Sequence, residues 1–201
     1  ARFMEKYRGM GYLRRKLNNK RIRVAVRYRY YEMKNANRDF NIIIPKEFKC
    51  FNEVLGWCGK AVDQLADRLV FREFANDNFD LNEIYRQNNA DILFDSAILS
   101  ALIAACCFIY ISPDDTGFPR LQVIDGGNAT GIIDPITNML VEGYAGLARD
   151  DHDSPTLEAY FTAGETWYYP KGAKPYRMKN PAPYPLLVPI LHRPDAVRPF
   201  G

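Results

Sequence analysis

Hydrophobic residues follow a helical period in the first half of the chain and a strand-like pattern in the second. The strongest helical stripe is predicted over residues 46–69, where apolar side chains recur every three or four positions. The stripe consists of Phe51, Leu55, Cys58, Val62, Leu65 and Leu69. A second helical region is predicted over residues 80–106, with a polar first half and a second half that is apolar nearly all round. We therefore expect that second half inside the core.

Two other segments of the first half have strand-like patterns. In residues 21–31 apolar side chains occupy alternate positions, and taken alone this favours a strand. The alternating residues are Ile22, Val24, Val26, Tyr28 and Tyr30. Residues 70–74 are a further candidate strand, and residues 1–20 fit a short amphipathic helix weakened by Gly9 and Gly11.

Six short runs rich in Ile, Val and Tyr follow Cys107. They are FIYIS, LQVID, MLVEGYAGLA, LEAYFTA, TWYYP and PYRMK, and turn sequences such as PDDTG and GGNATG separate them. Helices followed by closely spaced strands predict the α+β class, with N-terminal helices packed on an antiparallel or mixed β-sheet.

Composition is that of an ordinary globular chain, with 201 residues and 47% apolar content. The four cysteines form no C-x-x-C pair, so we predict buried free thiols in a reducing cytosol. The longest apolar run, residues 97–111, is shorter than the roughly 18–20 residues that span a bilayer. We therefore expect a soluble protein without a membrane partner.

The net charge of +3 conceals a division between a basic start and an acidic remainder. Residues 1–38 carry 13 Lys and Arg against 2 acids, whereas residues 39–201 carry 14 against 22. The cations that could meet an anionic partner are Arg14, Arg15, Lys16, Lys20, Arg21, Arg23, Arg27 and Arg29. With the neighbouring tyrosines they could bind nucleic-acid phosphates and stack on bases. The alternatives are a solvated face or a surface that docks on an acidic protein.

Sequence motifs for chemistry are weak. The chain has no glycine-rich nucleotide motif, and the glycines of GWCGK are better explained by close helix packing. His152 lies in the turn sequence RDDHDS, and His192 lies in a proline-rich segment without a nearby nucleophile. Asp114 and Asp115 form an acidic pair, but they lie in a turn, where water replaces the apolar surroundings that a general acid–base pair needs. We therefore assign no catalytic residue, no metal ligand and no cofactor, and predict that the protein is not an enzyme.

Three segments, in order, resemble the N-terminal half of a portal protein of long-tailed bacteriophages. They are YRYYEMKN, with the pair Tyr30 and Tyr31, the segment WCGKAVDQLADRLVFREF, and the proline-rich VPILHRPDAVRPFG. The resemblance covers nearly the whole chain. In this family the basic arm is usually helical, which argues against the strand suggested by residues 21–31.

The resemblance implies a domain organisation. Residues 1–38 would be a basic N-terminal arm and residues 39–184 an α+β domain like the portal wing. Residues 185–201 would be a proline-rich connector towards a missing stem and clip region. Since proline lacks a backbone donor, this connector is not expected to be a central strand or a helix interior.

The resemblance also implies partners and location. The family forms a ring, expected to hold about twelve copies, at one capsid vertex of the virion after assembly in the host cytoplasm. Its partners would be copies of itself, the major capsid protein, scaffold, the terminase motor, the head–tail adaptor and, transiently, double-stranded DNA. Arg193, Asp195 and Arg198 are the residues we expect at an inter-subunit or inter-domain contact.

Overall fold

The computed structural model describes residues 8–34, 55–77, 79–195 and 197–200. Four helices and eight strands lie within these residues. The helices are α1 (Met10–Tyr31), α2 (Trp57–Ala66), α3 (Leu81–Gln87) and α4 (Ala90–Ala104). The strands are β1 (Cys106–Pro113), β2 (Pro119–Asp125), β3 (Ala129–Ile133), β4 (Leu140–Arg149), β5 (Pro155–Phe161), β6 (Glu165–Pro170), β7 (Tyr176–Lys179) and β8 (Leu187–Leu191). The predicted α+β class is confirmed, with helices first and antiparallel strands afterwards.

The strand expected over residues 21–31 is wrong, because these residues belong to the helix α1. The buried residues of α1 are Leu13, Leu17 and Val24, at steps of four and seven that keep them on one side of a helix. Ile22 is 70% exposed and Tyr30 is 51% exposed. The alternation therefore came from charged residues placed between apolar ones, and three of the five apolar residues, Ile22, Val26 and Tyr30, are exposed.

The long helix predicted over residues 46–69 is only partly found. Helix α2 covers Trp57–Ala66, and residues 46–54 lie outside the described part of the chain. Residues 70–74 form no strand; Phe71 instead stacks on Phe94 of α4 at 4.4 Å between ring centroids. The helix predicted over residues 80–106 is broken at Asn89, whose φ of 49° interrupts helical geometry between α3 and α4.

The strands form two antiparallel sheets. One has three strands in the order β2-β1-β8, and the other has five in the order β3-β4-β5-β6-β7. All six predicted strand regions after Cys107 contain a strand. Strands β3 and β8 were not predicted, since β3 overlaps the turn-like sequence GGNATG and β8 contains Pro189. Strand β8 lies at the edge of its sheet, where a proline is tolerated.

The core lies between the two sheets. Phe108 and Tyr110 of β1 pack with Phe161 of β5 and Tyr168 of β6. The hydroxyl groups of Tyr110 and Tyr168 are 2.8 Å apart in a buried hydrogen bond that joins the sheets. On the opposite face of β1, Cys107 packs against α4. The order of layers is therefore helix α4, the three-stranded sheet and the five-stranded sheet.

Helix α1 packs across both sheets rather than standing away from them. Its first half packs on Tyr144 of β4 through Leu13 and Leu17. In its second half the Tyr28 hydroxyl hydrogen-bonds Asp125 at the end of β2. The proposed domain boundaries at residues 38 and 184 stay predictions, but α1 and Leu187, which is 1% exposed, are both built into the body.

Candidate functional site

The cations of α1 fall into three groups according to their contacts. Arg14 pairs with Glu158 and Arg21 pairs with Asp153, along the flanks of the helix. Lys16, Lys20 and Arg27 bind groups of the body, as described below. Arg15, Arg23 and Arg29 are exposed and have no hydrogen bond or ion pair with any described residue. The basic arm is thus partly neutralised by the body on which it lies.

One stripe of α1 lines a small cavity of about 160 Å³. Its cations are Lys16, Lys20, Arg23 and Arg27, at steps of four, three and four residues that place them on one side of the helix. The other lining residues are Val24, Ala104, Ala105, Thr130 and Phe200. No acidic residue is among the described residues that line this cavity.

Each of the two lysine ammonium groups donates a hydrogen bond to an acceptor of the body. Lys16 Nζ donates to the carbonyl oxygen of Gly131 at 2.7 Å, and Lys20 Nζ donates to Cys106 Sγ at 2.7 Å. Lys16 Nζ also lies 4.8 Å from the centre of the Phe200 ring. Burial, and then the like charge of Lys20, lower the pKa of Lys16. The ammonium groups of Lys16 and Lys20 therefore repel each other at a partly buried position.

Thr130 brings an unsatisfied hydroxyl to this side of the sheet. It lies opposite Tyr144 in the β3–β4 register, and directly opposite residues project on the same face. Tyr144 packs on Leu13 and Leu17, so that face is the one covered by α1. Thr130 is 1% exposed, and its Oγ1 has no hydrogen-bond partner among the described residues.

Arg27 has an additional structural role at the end of α4. Its NH1 donates to the carbonyl oxygen of Ala104 at 2.9 Å. The last carbonyl groups of a helix lack intrahelical partners and carry partial negative charge, so a cation there is stabilising. Ala105 follows with a φ of 73°, which turns the chain from α4 into β1.

A polar cluster centred on Asp125 ties α1 to α4 and β2. Asp125 Oδ1 accepts from the Tyr28 hydroxyl at 2.6 Å and from Ser100 Oγ at 2.7 Å, and its Oδ2 accepts from the Gly127 amide at 2.6 Å. Burial and the hydrogen bond to Asp125 raise the pKa of Tyr28 well above its ordinary value. Tyr28 therefore stays protonated and acts as a donor that holds the three elements together.

The residues of the proline-rich segment that were expected at an inter-subunit contact do not form one cluster. They are Arg193, Asp195 and Arg198. Asp195 pairs with Arg198 at 2.6 Å within a single turn, and it also accepts from the Val197 and Arg198 amides. The hydrogen bond from the Arg198 side chain is the largest cause that lowers the pKa of Asp195. Arg193 has a φ of 49° and no hydrogen bond or ion pair with the described residues. An inter-subunit role for the three stays a prediction.

The acidic turns are stabilised by their own contacts. Asp114 accepts from the Thr116 amide and hydroxyl and from the Phe118 amide, and these bonds, the Thr116 hydroxyl first, lower its pKa. His152 is exposed in the β4–β5 turn, where its amide donates to Asp150. Across the described ranges, no group of three or more His, Cys, Asp or Glu side chains is arranged to hold a metal ion.

The cysteines only partly follow the prediction of buried free thiols. Cys106 and Cys107 are buried and free, whereas Cys58 is free but exposed on α2. Cys50 lies outside the described residues. Burial raises the pKa of Cys107 to about 12, so this thiol is unreactive near neutral pH.

The glycines of GWCGK fulfil the predicted packing role. A Cβ at Gly59 would stand 2.9 Å from the Tyr31 carbonyl oxygen, so α2 can approach the end of α1 only with glycine there. The Tyr31 hydroxyl donates to Asp63 Oδ1 at 2.7 Å across the same contact.

Comparison with known proteins gives no assignment. No protein-family model matches the chain, and no curated protein sequence matches it either. None of the described helices combines the length and apolar character needed to cross a bilayer.

Sequence reasoning found the cations of α1 but missed the residues that complete their surroundings. Thr130, Phe200 and Cys106 are distant from α1 in sequence and carry no motif. The one available signal was the spacing of Lys16, Lys20, Arg23 and Arg27, which marks a single side of a helix once residues 21–31 are recognised as helical.

Proposed function

We propose that this chain is the wing portion of a bacteriophage portal subunit, which assembles with its own copies into a ring at one capsid vertex. The resemblance of three ordered segments is the basis of the proposal. The observation that supports it best is the contact between the first two segments, because Tyr31 of the tyrosine pair hydrogen-bonds Asp63 of the Ala61–Leu69 segment. The third segment contributes β8, which pairs with β1.

The proposed mechanism is geometric and electrostatic, and no bond is made or broken. Each subunit would act as a wedge whose edges contact its neighbours head to tail until the ring closes. DNA would pass through the ring, driven by a separate ATPase, and the acidic remainder of the chain would keep DNA from adhering. The outward cations Arg15 and Arg29 would contact capsid, scaffold or a neighbouring subunit.

The proposal is tested by the assembly state of the full-length protein. Mass photometry and negative-stain microscopy should show closed rings of about twelve copies. Asp63→Asn, which keeps the shape but weakens the acceptor for Tyr31, should destabilise the subunit slightly and leave ring closure intact. A full-length protein that remains monomeric at micromolar concentration would contradict the proposal.

A nucleic-acid-binding module is the alternative function. It is favoured by the three exposed cations without described partners, Arg15, Arg23 and Arg29, beside the exposed ring of Tyr30. Binding through these residues would weaken steeply with salt, and each removed phosphate contact would lower the slope of log K against log salt by about 1. An equal salt slope for the wild type and an Arg15→Gln, Arg29→Gln variant would exclude this surface as the binding site.

A further inference from the structure

We propose that the cavity between α1 and β3 is a binding site for a small tetrahedral oxyanion of the phosphate class. It is lined by four cations, Lys16, Lys20, Arg23 and Arg27, and by Thr130, whose buried hydroxyl has no hydrogen-bond partner among the described residues. The inference goes beyond the portal proposal and does not depend on it.

The first argument is uncompensated charge. Bringing charges out of water is costly unless a partner of opposite sign neutralises them, and the described residues lining this cavity include no acid. Arg27 is accounted for by the end of α4 and Arg23 is exposed, whereas Lys16 and Lys20 are partly buried and have no ion pair among the described residues. An anion between them would relieve the repulsion that Lys16 and Lys20 exert on each other.

The second argument is the number of donors left over. An ammonium group has three N–H donors and a guanidinium has five. Lys16 and Lys20 each use one, on the Gly131 carbonyl oxygen and on Cys106 Sγ, and Arg23 uses none within the described chain. Thr130 Oγ1 adds a hydroxyl donor that is otherwise unsatisfied in a buried position. These donors belong to residues that line one small space, which suits an anion with several acceptor oxygens.

The third argument is size and access. A cavity of about 160 Å³ holds one small anion and a few waters. The Phe200 ring covers part of it, at 4.8 Å from Lys16 Nζ and 5.5 Å from Lys20 Nζ. A free phosphate or a terminal phosphate group can enter such a space, whereas the backbone of a DNA duplex is held at the surface by its own width.

The test is calorimetric titration of the full-length protein with inorganic phosphate at low ionic strength. We expect saturable binding with one phosphate per chain, and a melting temperature that rises with phosphate concentration because the anion binds only the folded state. Absence of saturation up to about 10 mM phosphate, which corresponds to negligible affinity, would overturn the proposal.

Two variants separate the site from general attraction by the basic helix. Thr130→Val replaces the hydroxyl with a methyl group, so it should weaken phosphate binding about tenfold without lowering the melting temperature measured in the absence of phosphate, because the lost hydroxyl is unsatisfied. Arg23→Gln should weaken binding by a similar factor, and since Arg23 is exposed this variant is expected to fold. Arg15→Gln is the matched control on the outer side of α1 and should change binding less than twofold, as expected for a screened charge.

Three outcomes would overturn the proposal even if phosphate binds. Equal losses of phosphate affinity in Arg15→Gln and Arg23→Gln would show that phosphate is attracted to the whole of α1 and not to one site. Acetate binding as tightly as phosphate would show that the tetrahedral anion is not preferred. Displacement of phosphate by a short DNA duplex, with the same dependence on Thr130, would assign the site to a nucleic-acid backbone. If Thr130→Val fails to fold, Thr130→Ser retains the hydroxyl and must retain binding.

Discussion

Tyr28 shows how one side chain can connect a basic helix to the rest of the molecule. Its hydroxyl donates to Asp125, which also accepts from Ser100 and from the Gly127 amide. Helix α1, helix α4 and the end of β2 therefore meet at a single carboxylate. Hydrogen bonds to a charged group are stronger than those between neutral groups, so this contact should contribute measurably to stability.

Replacing Tyr28 by Phe should lower the free energy of unfolding by about 1–2 kcal/mol, because Asp125 loses one of three donors in a partly buried place. Urea denaturation followed by circular dichroism measures the change. Tyr30→Phe, on the exposed side of the same helix, should change the free energy by less than about 0.5 kcal/mol. Equal effects of the two substitutions would show that the Asp125 contact is not stabilising.

Cys107 gives a prediction for alkaline pH. Burial raises its pKa from 9.0 to about 12 in the folded chain. Below pH 9 the thiol is protonated in both the folded and the unfolded chain, so its contribution to stability is fully present. Above pH 9 the unfolded chain releases the proton first, and the free energy of unfolding therefore falls until about pH 12.

The measurement is urea denaturation at several pH values between about 8 and 11, which begins below the predicted window and covers most of it. Cys107→Ala should lose stability less steeply with pH than the wild type, whatever its stability at neutral pH. Burial also raises the pKa values of Tyr144 and Tyr160 to about 12. These tyrosines make the free energy of unfolding fall with pH by the same amount in the wild type and in the variant. Parallel curves for the two proteins would contradict the prediction.

Among the elements, β8 has the role that differs most from the one predicted from its sequence. The proline-rich segment that contains it was predicted as a connector, yet Leu187 belongs to the same buried cluster as Tyr110 and Phe161 and is 1% exposed. Next to it Val188 is 43% exposed. The strand is therefore part of the core on one face and only partly covered on the other, where Ile190 packs beside Cys107.

Leu187→Ala should destabilise the protein by about 3 kcal/mol, because it leaves a cavity between the sheets. Val188→Ala, one residue further along the same strand, should cost less than about 1 kcal/mol. Chemical denaturation of both variants gives the comparison. Similar small losses for both would indicate that β8 is only loosely attached.

The sequence prediction was accurate where the local residue pattern determines the conformation of an element, and less accurate where contacts with distant residues determine it. The six predicted strand regions were found because each combines β-branched and aromatic residues with turn residues at its ends. Residues 21–31 were wrongly given a strand because alternating Arg residues imitate a strand period on a helix that is polar on most of its surface. The cavity was not predicted, since Thr130 and Phe200 reach it only through sheet register and the return of the chain.

At the scale of the whole molecule, α1 packs on both sheets. Leu13 and Leu17 hold it to the five-stranded sheet, and Tyr28 holds it to the three-stranded one. The Tyr110–Tyr168 hydrogen bond joins the sheets directly. Such shared contacts predict that helices and both sheets unfold together.

This prediction can be tested in a Trp57→Phe variant, where Trp167 of β6 is the only tryptophan left of the two in the sequence. Its fluorescence reports the five-stranded sheet, and far-ultraviolet circular dichroism reports mainly the helices. The two signals should give the same urea midpoint. A lower midpoint for circular dichroism would mean that the helices melt before the sheet.

Pro189 has a consequence for how copies of this molecule can meet. Since the Ile111 amide donates to Leu186 and the His192 amide donates to Ala105, the even-numbered residues of β8 bond to β1 and Pro189 faces the free edge. Its ring therefore costs the sheet no hydrogen bond, while a foreign strand laid along that edge would find a donor missing at its middle. Neighbouring copies should for this reason meet through side chains at this border, and continuous β-sheets running from one molecule into the next are disfavoured.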